Sequence, residues 1–389
     1  MILTSKQEEG LKIAVARYRS NEPYTCIAGY AGTGKSTLVQ YIISALNVAP
    51  EDVCYVAYTG KAAQVLRTKG CPNAMTAHRL LYKSIRKDDG TYSHIPYDRI
   101  FPYRLIIVDE VSMLPKVMWE LLLRHRRHVI ALGDPGQLPP VMSEAHGILE
   151  HPHIFLDEIM RQEEESEIIR LTMDIRAGKP LQLQSGNEVR IVDQEELKEE
   201  GFLVWGDQIL VGKNNTRHSI NSFIRKILWE DDNPDPRVGD KIICLHNEWE
   251  CMNDTEDALV NGLSGNIAAI EWPNDNPFMK KTPLITFQPD IEGSGVFSNL
   301  EVDYRIFTEH LQTVNRDNFK KVPIWYHPKE FDYAYAITCH KAQGSEYDKV
   351  IVLEEFLRGE SKEDHMRWLY TAATRAAKKL IIVRNYRPV

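Results

Sequence analysis

No apolar run in this chain of 389 residues approaches the length of a membrane span. The first residues, Met1 to Glu9, lack the charged start and apolar stretch of a signal peptide. The six cysteines (Cys26, Cys54, Cys71, Cys244, Cys251, Cys339) are scattered and form no C-x-x-C pair. That argues against structural zinc and a disulfide framework, and for a reduced protein. Three of them sit in apolar or small-residue segments and read as core thiols. Positive charge is also short: the net charge is -8. This argues against a protein that coats nucleic acid through bulk charge, though a basic groove on an acidic body stays possible. There is no repeat of fixed period and no low-complexity tract. What remains is ordinary for a globular protein, with 43% hydrophobic and 26% charged residues. The length suits about two to four domains.

Against that plain background one segment stands out. Gly29-Tyr30-Ala31-Gly32-Thr33-Gly34-Lys35-Ser36-Thr37 matches G-x-x-x-x-G-K-[ST], a phosphate-binding loop. The apolar run at 24–28 before it reads as a strand, and 36–46 after it as a helix. Glycines let the loop curl so that its N–H groups point at phosphate, and the helix adds its positive N-terminal end. Lys35 is placed to reach the β- and γ-phosphates, and the Ser36 hydroxyl to ligate Mg²⁺. A chance match somewhere in such a chain is on the order of a per cent, and the flanks lower that further. The pattern implies a nucleoside triphosphate.

Strands are expected at 24–28, 53–57, 104–108 and 127–132, and helices at 36–46, 60–69, 115–124 and 164–177. Alternation of this kind predicts a parallel sheet covered on both faces, with ligands at the carboxyl ends of its strands. Residues 82–100 break the pattern. A D-G turn signal at Asp89-Gly90 between short β-like runs predicts a hairpin. A second series starts with a strand at 209–211 and a helix at 215–229, then stops at the proline-rich 231–236. Runs at 240–245, 265–272 and 283–287 predict an all-β insertion. Residues 288–328 carry no clear pattern. The second series resumes at 333 and ends with a helix at 366–377 and a strand at 379–384. The fold class is α/β, with two parallel-sheet domains and an insertion in each. The boundaries are 1–81 with 101–180, hairpin 82–100, 181–236 with 331–389, and β insertion 237–330.

The apolar run 105–108 ends in Asp109 and Glu110. Asp109 is placed to hold Mg²⁺, and Glu110 to polarise the water that attacks the γ-phosphate. Gln137, in Gly133-Asp134-Pro135-Gly136-Gln137-Leu138-Pro139-Pro140, follows another buried strand and is placed to sense the γ-phosphate. Arg161 and Arg375 are candidate arginine fingers, since guanidinium suits the charge that develops on that group. A lone arginine is ordinarily a surface ion pair; the surrounding pattern lifts these two.

Taken in order, Gln7, 29–37, 57–63, 75–81, 109–113, 133–141, Arg161, 211–221, 337–352 and 369–375 resemble the motif set of superfamily 1 helicases. Tyr58-Thr-Gly-Lys-Ala-Ala63, Thr76-Ala-His-Arg-Leu80, Asp109-Glu-Val-Ser-Met113 and His340-Lys-Ala-Gln-Gly-Ser-Glu346 are similar to the 5′→3′ subgroup B, of the RecD/Dda type. The resemblance covers nearly the whole chain. It implies two RecA-like domains, with a strand-separating pin at 82–100 and an SH3-like insertion containing Val260-Asn-Gly-Leu-Ser-Gly265. It implies ATP and Mg²⁺ as cofactors, with nucleotide contacts from Gln7, Gly29, Ala31, Gly32, Thr33, Gly34, Lys35, Ser36, Thr37 and Glu346. Gln7 would read adenine and Glu346 would meet the ribose. A DNA track would involve Thr59, Lys61, Thr76, His78, Asn214, Thr216, Arg217, Thr338, His340 and Ser345, with Tyr92, His94 or Tyr97 of the pin at the fork. Small polar side chains and backbone N–H groups suit phosphate contact without sequence preference.

The implied activity is ATP-dependent 5′→3′ movement on single-stranded DNA with unwinding of forked or tailed duplex. The expected setting is a monomer in the cytoplasm of a bacterial or phage-infected cell, away from membranes, with a single-strand-binding protein as a plausible partner. Three alternatives stay open. One is a nucleic-acid-stimulated ATPase that translocates or displaces proteins and unwinds poorly. Another is a nucleotide-gated binding module. The last is an RNA substrate, since nothing here reads a 2′-hydroxyl.

Overall fold

The computed structural model describes residues 3–86, 92–98, 101–139, 146–160, 165–198, 201–255, 257–273, 282–309, 328–356 and 359–387. Three sheets organise them. The first is six-stranded, in the order Ala74–Thr76, Val53–Ala57, Leu105–Val108, His128–Gly133, Tyr24–Gly29, Ile154–Leu156. Every pairing in it is parallel. Successive side chains on a strand face opposite ways, and the cores follow that rule. Cys54, Val56, Ile106, Val108, Val129 and Ala131 share one cluster. Val53, Leu105, Ile107, Ile130 and Leu132 share the other. A sheet buried on both faces needs unbroken apolar strands, which is why these runs carry no polar alternation.

The second sheet repeats the plan. Its order is Ala336–Thr338, Gln208–Val211, Tyr347–Leu353, Ala376–Val383, Val189–Val192 and Gln184–Ser185. Only the last pairing is antiparallel. Leu210, Val350, Val352, Leu380 and Ile382 pack on one face, and Ile209, Val211, Ile351, Leu353, Ile381 and Val383 on the other.

The third sheet is antiparallel and five-stranded: Phe297–Glu301, Leu284–Pro289, Ser264–Glu271, Lys241–Cys244 and Phe331–Tyr333. It encloses a core with Phe287, Phe297 and Phe331. Residues 331–333 pair here, and the chain returns to the second sheet only at Ala336. Strands Tyr82–Arg86 and Tyr92–Pro96 form an antiparallel hairpin; the D-G turn between them lies outside the described residues.

Several elements differ from the sequence expectation. A first helix, Ser5–Arg19, was not anticipated, although Thr4 and Gln7 cap it reciprocally. The last helix is Lys362–Ala373 rather than 366–377, because Ser361 caps Asp364 and starts it a turn early. It stops before Arg375, whose carbonyl accepts from Tyr347 N–H at 2.9 Å. Arg375 therefore sits in the turn entering strand Ala376–Val383. Five cysteines are buried, Cys251 is half-buried, and none forms a disulfide. Among the described residues no helix is long and apolar enough to cross a membrane.

Candidate functional site

The phosphate loop leaves strand Tyr24–Gly29 and enters helix Lys35–Leu46. Gly32 and Gly34 both have φ of 74°, a conformation that glycine adopts without steric cost. Room is also short at Gly34: a Cβ there would lie 2.5 Å from both Gln7 Nε2 and Met160 Sδ. The Lys35 ammonium donates to the carbonyls of Gly29 at 2.8 Å and Tyr30 at 2.9 Å. Burial pulls its pKa below the ordinary lysine value, against the opposing pull of Asp134, Asp109 and Glu110. Thr33 Oγ1 donates to Tyr30 O, closing the loop on itself. Ala31 lies within it, and Ser36 and Thr37 open the helix behind it. Gln7 is 1% exposed. Its amide donates to Thr33 O at 3.2 Å while its carbonyl accepts from Thr4 N–H at 3.0 Å. The first helix thus braces the loop from behind.

Asp109 and Glu110 follow strand Leu105–Val108. Burial, and then the neighbouring Glu110 charge, push the Asp109 pKa above the usual carboxylate range. Glu110 has φ of 48°, an uncommon conformation for a side chain of this kind. Its N–H donates to Asp109 Oδ1 at 3.0 Å. From the second sheet's domain, Arg375 reaches across, its Nη1 lying 3.4 Å from Glu110 Oε1. That guanidinium also donates to Ser345 O and Thr371 O. Glu110 Oε2 and Gln137 Oε1 are buried without a hydrogen-bond partner. Buried polar atoms are normally paired, so these two mark where a polar reactant belongs. Thr59, Lys61, Asp109, Glu110, Ser345, Glu346 and Arg375 are among the residues lining a cleft of about 730 Å³ between the two domains and the third sheet.

Two family models cover much of the chain. Residues 3–196 match the AAA domain model, and 333–383 match the UvrD-like helicase C-terminal domain. The chain is 24% identical over 274 residues to the ATP-dependent DNA helicase dda of Enterobacteria phage T4, covering 62% of this chain and 60% of that protein. It is 32% identical over 162 residues to the ATP-dependent RecD2 DNA helicase of Deinococcus radiodurans, covering 39% of this chain and 22% of that one. It therefore spans less than two thirds of either relative. The solved structure of Bacteroides Pif1 helicase with ADP-AlF3 and ssDNA aligns over 100% of this chain and 94% of that one, at 18% identity and TM-score 0.56. The chain belongs to the superfamily 1B helicases of the RecD/Dda type.

In this chain the two mainly parallel sheets are the RecA-like domains, and the residues assigned from sequence fall mostly into three groups. The first comprises Lys35, Asp109, Glu110, Gln137 and Arg375: Asp109, Glu110 and Arg375 line the cleft, and buried Lys35 lies near enough to feel the charge of all three. Arg161 lies outside the described residues. The second group comprises threonines at helix starts. Thr59, Thr76 and Thr338 each accept a hydrogen bond from the N–H three residues on. All three helices begin at the carboxyl ends of parallel strands, so their N-termini share the edge where phosphate is favoured. His78 lies between Tyr58 and Tyr82 in a ring cluster. His340 follows Thr338, and burial holds its imidazole pKa below the ordinary value. Asn214 opens helix Asn214–Trp229. Tyr97 is half-buried beside the hairpin, whereas the Tyr92 and His94 side chains lie outside the described residues.

Members of the third group turn inward. The Thr216 hydroxyl donates to buried Glu355 at 2.6 Å. Arg217 is 3% exposed and ion-paired with Asp332 at 2.8 Å. Lys61 donates to Ser264 Oγ at 3.0 Å and to Tyr347 OH at 3.4 Å. A sequence reading placed these three on a DNA track. Here partners distant in sequence hold Thr216 and Arg217 inside the second domain, while Lys61 is tied to the insertion at the wall of the cleft, and residue type alone does not reveal those partners. Conversely, Asp134 and Tyr370 have roles that residue type alone does not announce. The Tyr370 hydroxyl donates to Asp134 Oδ2 at 2.6 Å and accepts from Ala31 N–H at 3.1 Å. Their membership of blocks 133–141 and 369–375 was the available signal.

Proposed function

We propose that this chain is an ATP-driven motor that moves 5′→3′ on single-stranded DNA and opens duplex ahead of it. One observation carries the reading: Arg375 from one RecA-like domain meets Glu110 of the other beside buried Lys35. An acid able to orient water, a lysine for phosphate oxygens and an arginine supplied across a cleft are the parts phosphoryl transfer needs. The Bacteroides Pif1 neighbour, bound to ADP-AlF3 and ssDNA, supports the same use of the cleft and of the strand ends above it.

In this mechanism Lys35 and the loop N–H groups hold the phosphates, Glu110 orients the attacking water, and Arg375 stabilises the charge on the γ-phosphate. Arg161 serves as a second finger, Gln137 senses the γ-phosphate, and Gln7 and Glu346 hold the nucleoside. The oxygen donors at Ser36 and Asp109 suit Mg²⁺, which prefers hard ligands. They would hold that ion, and it would supply positive charge to the phosphate oxygens. Closure and reopening of the cleft shift the grip between the Thr59 and Thr76 side and the Thr338, His340 and Asn214 side. Hairpin Tyr82–Pro96 acts as the wedge. The five-stranded insertion is read as SH3-like and as its support. A monomer suffices for the cycle, and a single-strand-binding protein is the natural partner for the displaced strand.

Matched duplexes with a 5′ or a 3′ single-stranded tail test this. ATP-dependent opening of the 5′-tailed duplex alone is the expected result. Opening of only the 3′-tailed one overturns the polarity. DNA-stimulated hydrolysis with neither opened favours a translocase that displaces proteins, a reading that the short paired hairpin also fits.

A further inference from the structure

The helix Lys362–Ala373 ends against the first domain through two adjacent residues. Tyr370, 1% exposed, donates a hydrogen bond to Asp134 and accepts one from the Ala31 N–H of the phosphate loop. Thr371 Oγ1 accepts from Leu138 N–H at 3.0 Å, and Gln343 Nε2 donates to Leu138 O at 3.1 Å. The same Thr371 carbonyl accepts from Arg375 Nε at 3.1 Å, while Thr374 Oγ1 accepts from Arg375 Nη2 at 3.1 Å. A continuous chain of bonds therefore runs from Ala31 and Asp134, through Tyr370 and Thr371, to the guanidinium facing Glu110. The ring of Tyr370 is closely held as well. A Cβ on Gly136 would lie 2.9 Å from Tyr370 Cε1.

We infer that Tyr370 is a positioning residue for Arg375: its hydroxyl locks the end of this helix to the phosphate loop and the Asp134 turn, and so aims the guanidinium at Glu110. The inference rests on the ATPase reading above. A phenol donating to a carboxylate is a charge-assisted bond of the stronger kind, and buried groups left without it do not find water. Tyr370 touches no reacting atom in this role. Its effect travels through four residues of backbone to Arg375.

Tyr370→Phe keeps the ring and removes both bonds. The expected result is a fall in kcat of about tenfold or more, the effect of losing one hydrogen bond to a charged group, with KM for ATP unchanged. A tyrosine that served only general stability would lower the melting temperature without this split. A double-mutant cycle settles the route. In an Arg375→Lys background, Tyr370→Phe should cause no further loss, because there is no guanidinium left to aim. Gly136→Ala, which pushes the ring from the other side, should reproduce the kcat loss. Unchanged kcat in Tyr370→Phe overturns the inference, as does a loss that multiplies fully in the Arg375→Lys background. Absence of ATP turnover in the unmodified chain would instead overturn the ATPase reading itself, so the two failures are distinguishable.

Discussion

At the phosphate loop the two RecA-like domains meet through polar groups: Tyr370 with Asp134 and Ala31, Thr371 with Leu138, and Arg375 with Glu110. Helix Gly60–Thr68 of the first domain meets the antiparallel insertion in another manner. A Cβ on Gly60 would lie 2.1 Å from Val260 Cγ2 and 2.3 Å from Val260 Cβ. Val65 packs on the insertion core. Around that apolar contact Lys61 bonds Ser264, Gln64 bonds Ser294 at 2.7 Å, and Arg67 pairs with Asp257 at 2.5 Å. Hydrogen bonds exchange partners at small net cost, whereas close-packed side chains are bistable rather than continuously deformable. The first contact is made of polar groups that can exchange partners, whereas the second is seated on a close apolar contact; the insertion also packs on the second domain, through Ile243 and Leu245 and the buried Arg225–Asp240 pair.

Substitutions should therefore separate turnover from stability. The largest effects belong to the phosphate loop and the polar contact beside it. Lys35→Ala should abolish ATP turnover, a loss of more than about a thousandfold when phosphate loses its cation. Glu110→Gln should bind ATP yet hydrolyse it about a hundredfold to ten-thousandfold more slowly. Both should melt like the unmodified chain. Wild-type turnover in either would break the site assignment. Gly60→Leu should do the reverse. It should destabilise by about 1–3 kcal/mol, read as a lower melting temperature, with nucleotide affinity unchanged. Rotating Val260 offers no escape, because its own Cβ is in the way.

A smaller effect follows at His365, four residues into the helix that carries Tyr370. Burial disfavours the charged ring, but the carboxylates of Glu354 and Glu360 outweigh it and raise the pKa above the ordinary 6.5. A raised histidine pKa adds stability that is complete below 6.5 and is lost as pH rises through the folded-state value. His365→Gln should flatten the dependence of melting temperature on pH across that window. A profile identical to that of the unmodified chain would remove the histidine from the account. The smallest effect belongs to Arg67→Ala. Its pair is only partly shielded, so the loss should stay below about 1 kcal/mol and vanish at high salt.

Legibility in the sequence followed the same division. The phosphate loop was readable because glycine positions, Lys35 and flanking strand and helix all point to one structure. So were the parallel strands, since two-sided burial leaves continuous apolar runs such as 105–108. Helix Ser5–Arg19 escaped because its amphipathic pattern is weak, even though Thr4 and Gln7 mark its start. Strand Ile154–Leu156 is too short to announce itself, and Phe297–Glu301 carries Ser298 and Asn299 where a strand pattern would be sought. The inward turn of Arg217 depends on Asp332, more than a hundred residues away. Local pattern carries no record of such a pairing, and the same holds for the insertion's seat on helix Gly60–Thr68.

Gly60 and Val260 are separated by two hundred positions yet compete for one volume. Across relatives that keep this seat, the two positions should vary together. A side chain at the first calls for a glycine at the second, and a chain that changes one alone should lose the seat.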